Sequence, residues 1–173
     1  KLLTPLQRER LFEMLIHKVK YSLKVISAKE VDDTLNDPST NLNLLEAKIS
    51  AELIDELKPD TVIVDCPSVN TDHYERDIKS FLKHKCKIIA EHKADLNYPV
   101  VSAASILAKV TRDRAIEEIK KKIGKNFGSG YPSDPRTIAF LKKHYKDYDI
   151  FRKTWATYKK VANQKDQTSL GNF

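Results

Sequence analysis

Cysteine is scarce in this chain: Cys66 and Cys86 are the two it has among 173 residues. A disulfide-stapled extracellular scaffold needs more, and neither thiol has histidine at ligand spacing. The pair therefore reads as core residues of a reduced, cytoplasmic protein and not as a zinc site. Long apolar runs are missing too. Stretches such as residues 61–64 and 99–101 fall far short of the roughly 20 residues that cross a bilayer. Residues 1–5 have no apolar signal core with a small-residue cleavage site, so no membrane segment is expected. No internal repeat or low-complexity tract is visible. What is abundant is positive charge. Lys and Arg number 31 against 24 Asp and Glu, a net charge of +7, and the pI near 9.3 suits a polyanionic partner or substrate. With 40% hydrophobic and 32% charged residues the chain has material for a real core, and its length predicts one compact domain with a short appendage.

Thr4, Pro5 and Gln7 carry the pattern of a helix start: a hydroxyl cap, a proline at the first helical position and an amide that reaches back. Leu11, Phe12, Leu15, Ile16 and Val19 follow at three-to-four spacing, which predicts an amphipathic helix. Tyr21, Leu23 and Val25 alternate with Ser22 and Lys24, the period of a half-buried strand. Ser27 and Glu30 predict a capping box and a short helix to Leu35, then a loop over residues 36–40. Asn43, with Glu46 after it, predicts the cap of a third helix striped by Leu45, Ile49, Leu53 and Leu57. Residues 61–66 are apolar on both faces, as in a strand buried between two helical layers. A helix through Tyr74, Ile78, Phe81 and Leu82 and a second strand over residues 87–91 complete a βαβ unit with parallel strands. A long helix follows over residues 100–123, with Ala103, Ala104 and Ala108 in its first half. In the glycine and proline loop 128–135, Asp134-Pro135 caps a helix through Ile138, Phe140 and Leu141. A last helical segment holds Phe151, Trp155 and Tyr158, and beyond Asn163 the polar composition predicts a flexible tail.

Asp65 closes the most apolar strand. An unpartnered carboxylate is costly to bury, so it belongs at a strand edge where ligands gather, unless it only caps the next turn. Asp95 stands in the same relation to the second strand, and parallel neighbours would bring both carboxylates out on one side of the sheet. Its plainer reading is a cap before Asn97-Tyr98-Pro99. Two hard oxygen ligands near a basic surface suit magnesium or manganese, which implies phosphoryl-transfer chemistry.

Several motifs together resemble one family. The segment Ala90-Glu91-His92-Lys93-Ala94-Asp95, and the run from Tyr98-Pro99-Val100-Val101-Ser102-Ala103-Ala104-Ser105 through Ala108-Lys109-Val110 to Arg112-Asp113, resemble the signature of type 2 ribonuclease H, ribonuclease HII, in its archaeal form. Gly128-Ser129-Gly130-Tyr131-Pro132-Ser133-Asp134 resembles that family's next signature. Asp65, closing Val62-Ile63-Val64-Asp65, falls where the family keeps a metal-binding aspartate. Arg152, Thr154 and Trp155 match its C-terminal Arg-x-Ser/Thr-Trp pattern. The likeness covers essentially the whole chain.

The resemblance implies an α/β fold, a ribonuclease H-like mixed sheet flanked by helices, with a helical C-terminal part. It implies an endonuclease that cuts RNA paired to DNA and single ribonucleotides embedded in duplex DNA, leaving a 3′-hydroxyl and a 5′-phosphate. Two divalent ions, Mg2+ or Mn2+, are held by four carboxylates in that family. Asp65 and Asp95 match the third and fourth. The first two lie on a strand reading Asp-Glu-Ala-Gly-Arg-Gly, which nothing here matches, so the 173-residue chain by itself is expected to have little nuclease activity. The alternative is a catalytically inactive nucleic-acid-binding fragment of such an enzyme. Lys1 would be the lysine of the family's Asp-Ser-Lys motif, a phosphate contact. Tyr131 matches the tyrosine that stacks at the RNA to DNA junction and senses the ribose 2′-hydroxyl; a tyrosine in a glycine loop is otherwise a packing residue. Asn43, Lys93, Lys109 and Arg112 are candidate phosphate contacts or solvated surface groups. The run Lys120-Lys121-Lys122 with Lys125 reads as a solvated helix face, and His92 as a hydrogen-bonded structural histidine or a proton carrier.

The expected organisation is a core over residues 1–145, a helical segment over 146–163 and a tail over 164–173, in a monomer. Within that tail Gln167, Leu170 and Phe173 resemble a sliding-clamp binding box, whose apolar side chains plug a clamp pocket.

Overall fold

The computed structural model describes residues 3–170, with side chains through residue 164. Its elements in chain order are α1 (Pro5–Lys18), α2 (Ala28–Leu35), α3 (Leu42–Leu57), β1 (Thr61–Asp65), α4 (Thr71–Phe81), β2 (Lys87–Glu91), α5 (Ala94–Asn97), α6 (Pro99–Ile123), α7 (Pro135–His144) and α8 (Ala156–Leu170). They fall into two compact units, formed by the described residues of Lys1–Val25 with Asn41–Arg112 and of Ile26–Thr40 with Asp113–Phe173. No helix among the described residues is long and apolar enough to cross a membrane.

The capping chemistry read from the sequence forms at both early helices. Thr4 and Gln7 make a reciprocal capping box at α1, and Ser27 and Glu30 make another at α2. At α3 the register differs. The cap is Asn41, whose side chain accepts from the Leu44 amide at 3.0 Å, and Asn43 sits inside the first turn. A cap must leave the helical region, and Asn41 does so at φ −149°, which the two-residue shift denies to Asn43. Residues 19–27 form no strand: alternation alone makes no ladder, and among the described residues β1 and β2 pair only with each other.

In the first unit β1 and β2 run parallel, with Thr61 opposite Lys87 and Asp65 opposite Glu91. One core gathers Ala47, Ala51 and Ile54 of α3, Tyr74 and Ile78 of α4, Cys66 and Ile88, with Val62, Val64, Cys86 and Ala90 packed on it. Both cysteines are free thiols, and burial pushes the Cys86 thiol above its ordinary pKa. The strand is less enclosed than its composition predicts: Val62, Ile63 and Val64 are half-buried, with α3 and α4 residues packed on the face that carries Val62 and Val64 of a sheet of two described strands. A second core joins Phe12 of α1 to Ile106, Leu107 and Val110 of α6, with Leu11, Leu15, Ile16 and Leu23 against it.

The second unit is organised by aromatic rings and one buried carboxylate. Phe140 on α7 lies 5.5 Å from Phe127, 4.7 Å from His144, 5.7 Å from Tyr148 and 6.0 Å from Phe151, centroid to centroid. Asp32 of α2, 7% exposed, accepts from the Lys153 amide at 2.6 Å, the Thr154 amide at 2.9 Å and the Thr154 hydroxyl at 2.6 Å. Those amides are thereby held outside any helix. This is why Phe151 and Trp155 precede α8, which starts at Ala156, instead of lying on it as the spacing predicts. Downstream, α8 runs on to Leu170, through residues 164–170 where a tail was expected. That stretch is polar but holds no Gly or Pro, and Gln and Lys are good helix formers.

Candidate metal and nucleic-acid site

In the first unit the candidate metal residues stand where the parallel strands end. Asp65 is the last residue of β1, exposed at the C-terminal edge, and its Oδ1 accepts a hydrogen bond from the Ala94 amide at 3.2 Å. Ala94 is fully buried, so the contact ties the strand end to the first residue of α5. The turn that delivers this amide passes through Lys93, whose φ of 56° is a left-handed conformation that costs a side-chain-bearing residue about 1–2 kcal/mol. Asp95 is the next residue of α5, half-buried, with Oδ2 at 3.9 Å from Lys109 Nζ on α6. The shared edge places Asp65 in direct contact with Ala94, the residue beside Asp95.

Glu91, which sequence reading passed over, belongs to the same edge. It is the ladder partner of Asp65, so the two side chains leave the sheet on the same face. Its Oε2 is buried with no hydrogen-bond partner, while its carboxylate takes a hydrogen bond from the Tyr98 hydroxyl that raises the tyrosine's pKa. A carboxylate oxygen without a donor is the feature a cation satisfies. These are hard oxygen donors of the kind that magnesium and manganese take. The described residues hold no group of three His, Cys, Asp or Glu side chains at metal-binding spacing, so the donors fit in chemical type without making a closed ligand set.

The other candidates of the first unit are dispersed. Lys93 and Lys109 are exposed, Arg112 and Asn43 are half-buried, and His92 is exposed beyond β2. Lys1 lies outside the described residues.

In the second unit Tyr131 projects from a turn whose preceding amides are held by side chains. Its side chain is 45% exposed. The Gly128 amide donates to Asn126 Oδ1 at 3.0 Å, the Ser129 amide to Asp134 Oδ2 at 2.7 Å, and the Gly130 amide to Thr137 Oγ1 at 3.0 Å. Gly128 adopts a φ of 83°, and a Cβ there would meet Asp134 Oδ2 at 2.6 Å, so only glycine fits. Asp134 also caps α7 through the Arg136 amide at 2.9 Å. Its paired Arg136 guanidinium and the Ser129 amide hold its carboxyl well below the usual carboxylate range.

The Arg-x-Thr-Trp pattern has a structural use: Arg152 Nε donates to Thr154 Oγ1 at 3.2 Å, and Thr154 in turn binds Asp32. Burial pushes the Asp32 pKa up, but the hydrogen bonds from Thr154 and Lys153 and the charge of Arg152 outweigh it, leaving the group below its ordinary value. The expected solvated face of α6 is partly engaged. Lys120 and Lys121 pair with Glu117 and Glu118 at 2.6 and 2.7 Å, and Lys120 Nζ lies 5.8 Å over the Phe127 ring. A cavity of about 390 Å³ beside Asp32 is bordered by Lys29, Asp33, Asp149 and Lys153, which neutralise one another as Lys29–Asp33 and Lys153–Asp149 pairs. Backbone is described at Gln167 and Leu170; their side chains and Phe173 lie outside what is described.

An α/β unit with parallel strands that end in carboxylates fits the ribonuclease H-like class. Comparison with known proteins narrows it. The family model described as Ribonuclease HII matches residues 1–158, and the chain belongs to that family, one of metal-dependent endoribonucleases acting on the RNA strand of hybrids. It is 44% identical to Ribonuclease HII of Methanoregula boonei over 177 residues, covering all of this chain and 82% of that protein. It is also 44% identical to Ribonuclease HII of Pyrococcus horikoshii over 182 residues, covering all of this chain and 80% of the relative. The crystal structure of ribonuclease H2 from Pyrococcus horikoshii OT3 superposes with a TM-score of 0.82 at 42% identity, over 94% of this chain and 78% of that one. The RNase HII in its PCNA complex from Archaeoglobus fulgidus gives a TM-score of 0.83 at 36% identity, over 93% and 78%. A Bst-RNase HIII in complex with Mn2+ shares the fold at 15% identity, with a TM-score of 0.75 over 95% of this chain and 57% of that one.

Proposed function

We infer that the chain directs hydrolysis of phosphodiester bonds at ribonucleotides, both in RNA paired to DNA and at single ribonucleotides within duplex DNA. The observation that carries this is the strand-edge arrangement of Asp65, tied to Ala94, with Asp95 next along α5. Asp65 and Asp95 would hold Mg2+ or Mn2+, and Glu91, with its unpartnered oxygen, lies on the same face as Asp65. Two such ions, when bound, supply a water nucleophile and neutralise charge on the phosphate. The residues do the rest: the carboxylates set the position of the scissile phosphate, while Lys1, Lys93, Lys109, Arg112 and Asn43 hold neighbouring phosphates. Tyr131 stacks at the junction and reads the 2′-hydroxyl, the group that separates RNA from DNA. Water as nucleophile leaves a 3′-hydroxyl and a 5′-phosphate.

A second reading is binding without cleavage, favoured by the absence of a three-ligand acidic group among the described residues. One experiment separates the two: a duplex with a single ribonucleotide is incubated with the 173-residue chain and Mg2+, then scored for cutting and for binding. Metal-dependent cutting abolished by Asp65→Asn supports the nuclease. Binding with no cutting by the parent supports the second reading.

Gln167, Leu170 and Phe173 form the clamp-binding element in this proposal. Its support is the pattern of those residues and the relative from Archaeoglobus fulgidus, 36% identical, whose structure is a PCNA:RNase HII complex.

A further inference from the structure

We propose that Asp134 and Thr137 are specificity-determining positioning residues, which act by fixing the backbone of the turn that carries Tyr131. This inference rests on the reading of Tyr131 as the residue that senses the ribose.

Thr137 is 5% exposed and its single hydroxyl makes two contacts of opposite sense. It donates to the Phe127 carbonyl at 2.9 Å and accepts from the Gly130 amide at 3.0 Å. The amide it holds is that of the residue immediately before Tyr131. A hydroxyl has one proton to give and lone pairs to receive, so serine preserves both contacts and isosteric valine neither. Asp134 does the same work one residue earlier. Its Oδ2 takes the Ser129 amide at 2.7 Å, and its Oδ1 takes the Arg136 amide at 2.9 Å as the α7 cap. The Asp134 amide closes the turn on the Tyr131 carbonyl at 3.1 Å. The backbone on both sides of Tyr131 is therefore clamped to the first turn of α7, while the side chain remains 45% exposed.

Rigid backbone under an exposed ring is the arrangement that discrimination requires. Stacking alone accepts any nucleotide, since every base has a π-face. Sensing one hydroxyl requires the phenol to meet it at hydrogen-bond distance and angle, a tolerance that a loose turn does not supply. Asn at 134 keeps the cap or the Ser129 contact, but not both, because one of its two arms is a donor.

The test is a ratio of affinities, read by anisotropy of a labelled duplex in the presence of a chelator that prevents cutting. The parent, Tyr131→Phe, Thr137→Val, Thr137→Ser, Asp134→Asn and the double variant Tyr131→Phe/Thr137→Val are each titrated with a duplex containing one ribonucleotide and with the same sequence as DNA. The expected result is that Thr137→Val and Asp134→Asn lose about fivefold or more of the parent's ribonucleotide preference, as Tyr131→Phe does, while Thr137→Ser retains it. The double variant shows no loss beyond Tyr131→Phe alone. Should Thr137→Val unfold, Asp134→Asn and the serine variant still decide. A purely structural role would lower the melting temperature of the valine variant and leave the ratio at the parent value, which overturns the proposal. If Tyr131→Phe itself keeps the parent ratio, the reading of Tyr131 fails and this inference with it; if Tyr131→Phe loses the ratio but neither positioning variant does, only this inference fails.

Discussion

The hydroxyl of Thr154 donates to Asp32 Oδ1 at 2.6 Å, a bond between residues 122 positions apart in sequence. With the two amides beside it, this contact ties the segment before α8 to α2.

Removal of that acceptor has a definite cost. Asp32→Ala leaves two amides and a hydroxyl without their partner, and the expected loss is roughly 1–3 kcal/mol. The pH dependence has a fixed sign. The folded pKa of Asp32 lies below its unfolded value, so its contribution is present above about pH 4 and is lost as pH falls through the folded pKa. The stability difference between parent and Asp32→Asn, read by urea denaturation, therefore narrows below about pH 4.

Metal binding can be read apart from catalysis. Asp65→Asn and Asp95→Asn should each weaken Mn2+ affinity about tenfold or more, since each removes an anionic oxygen ligand. Isothermal titration calorimetry measures this directly, and unchanged affinity in both variants would separate these residues from the ion.

The ribose preference is expected to depend on the Tyr131 phenol. In a cleavage assay Tyr131→Phe should slow cutting at a ribonucleotide about tenfold, because stacking survives and the hydroxyl contact does not. A rate equal to the parent's would remove Tyr131 from the reading of the substrate.

Clamp binding should depend on apolar anchors at the C-terminal end. Phe173→Ala is expected to weaken binding to an archaeal sliding clamp by about 2 kcal/mol, the scale of an aromatic anchor lost from a pocket. Surface plasmon resonance with immobilised clamp tests it, and equal affinity would discard the box.

The core of the first unit offers a plain stability prediction. Ile78 of α4 is fully buried against α3 and the strands, and Ile78→Ala should cost about 2–5 kcal/mol through lost burial and the cavity left behind. Thermal denaturation followed by circular dichroism checks the value.

Much of this protein was legible in one dimension because the relevant physics is local. Thr4 with Gln7 and Ser27 with Glu30 are caps within one helical turn, and they form as read. The β1-α4-β2 unit follows from apolar periodicity, and its parallel pairing from the helical crossover that joins the two strands. What local pattern could not reach was pairing. Residues 21–25 alternate like a strand, yet no described neighbour completes a ladder with them. Trp155 has helical spacing, yet Asp32, distant in sequence, claims the amides it would need. Glu91 stands in the signature segment without a mark of its own, because an ordinary glutamate differs from one with an unpartnered buried oxygen only after β1 and β2 are in register. Spacing and side-chain chemistry thus determined most of the elements and marked Asp65 and Asp95 as candidates, while Tyr131 became one through the family resemblance of its loop. Tertiary structure alone decided which buried polar groups meet, since a hydrogen bond acts over about 3 Å and carries no trace of the sequence distance it spans.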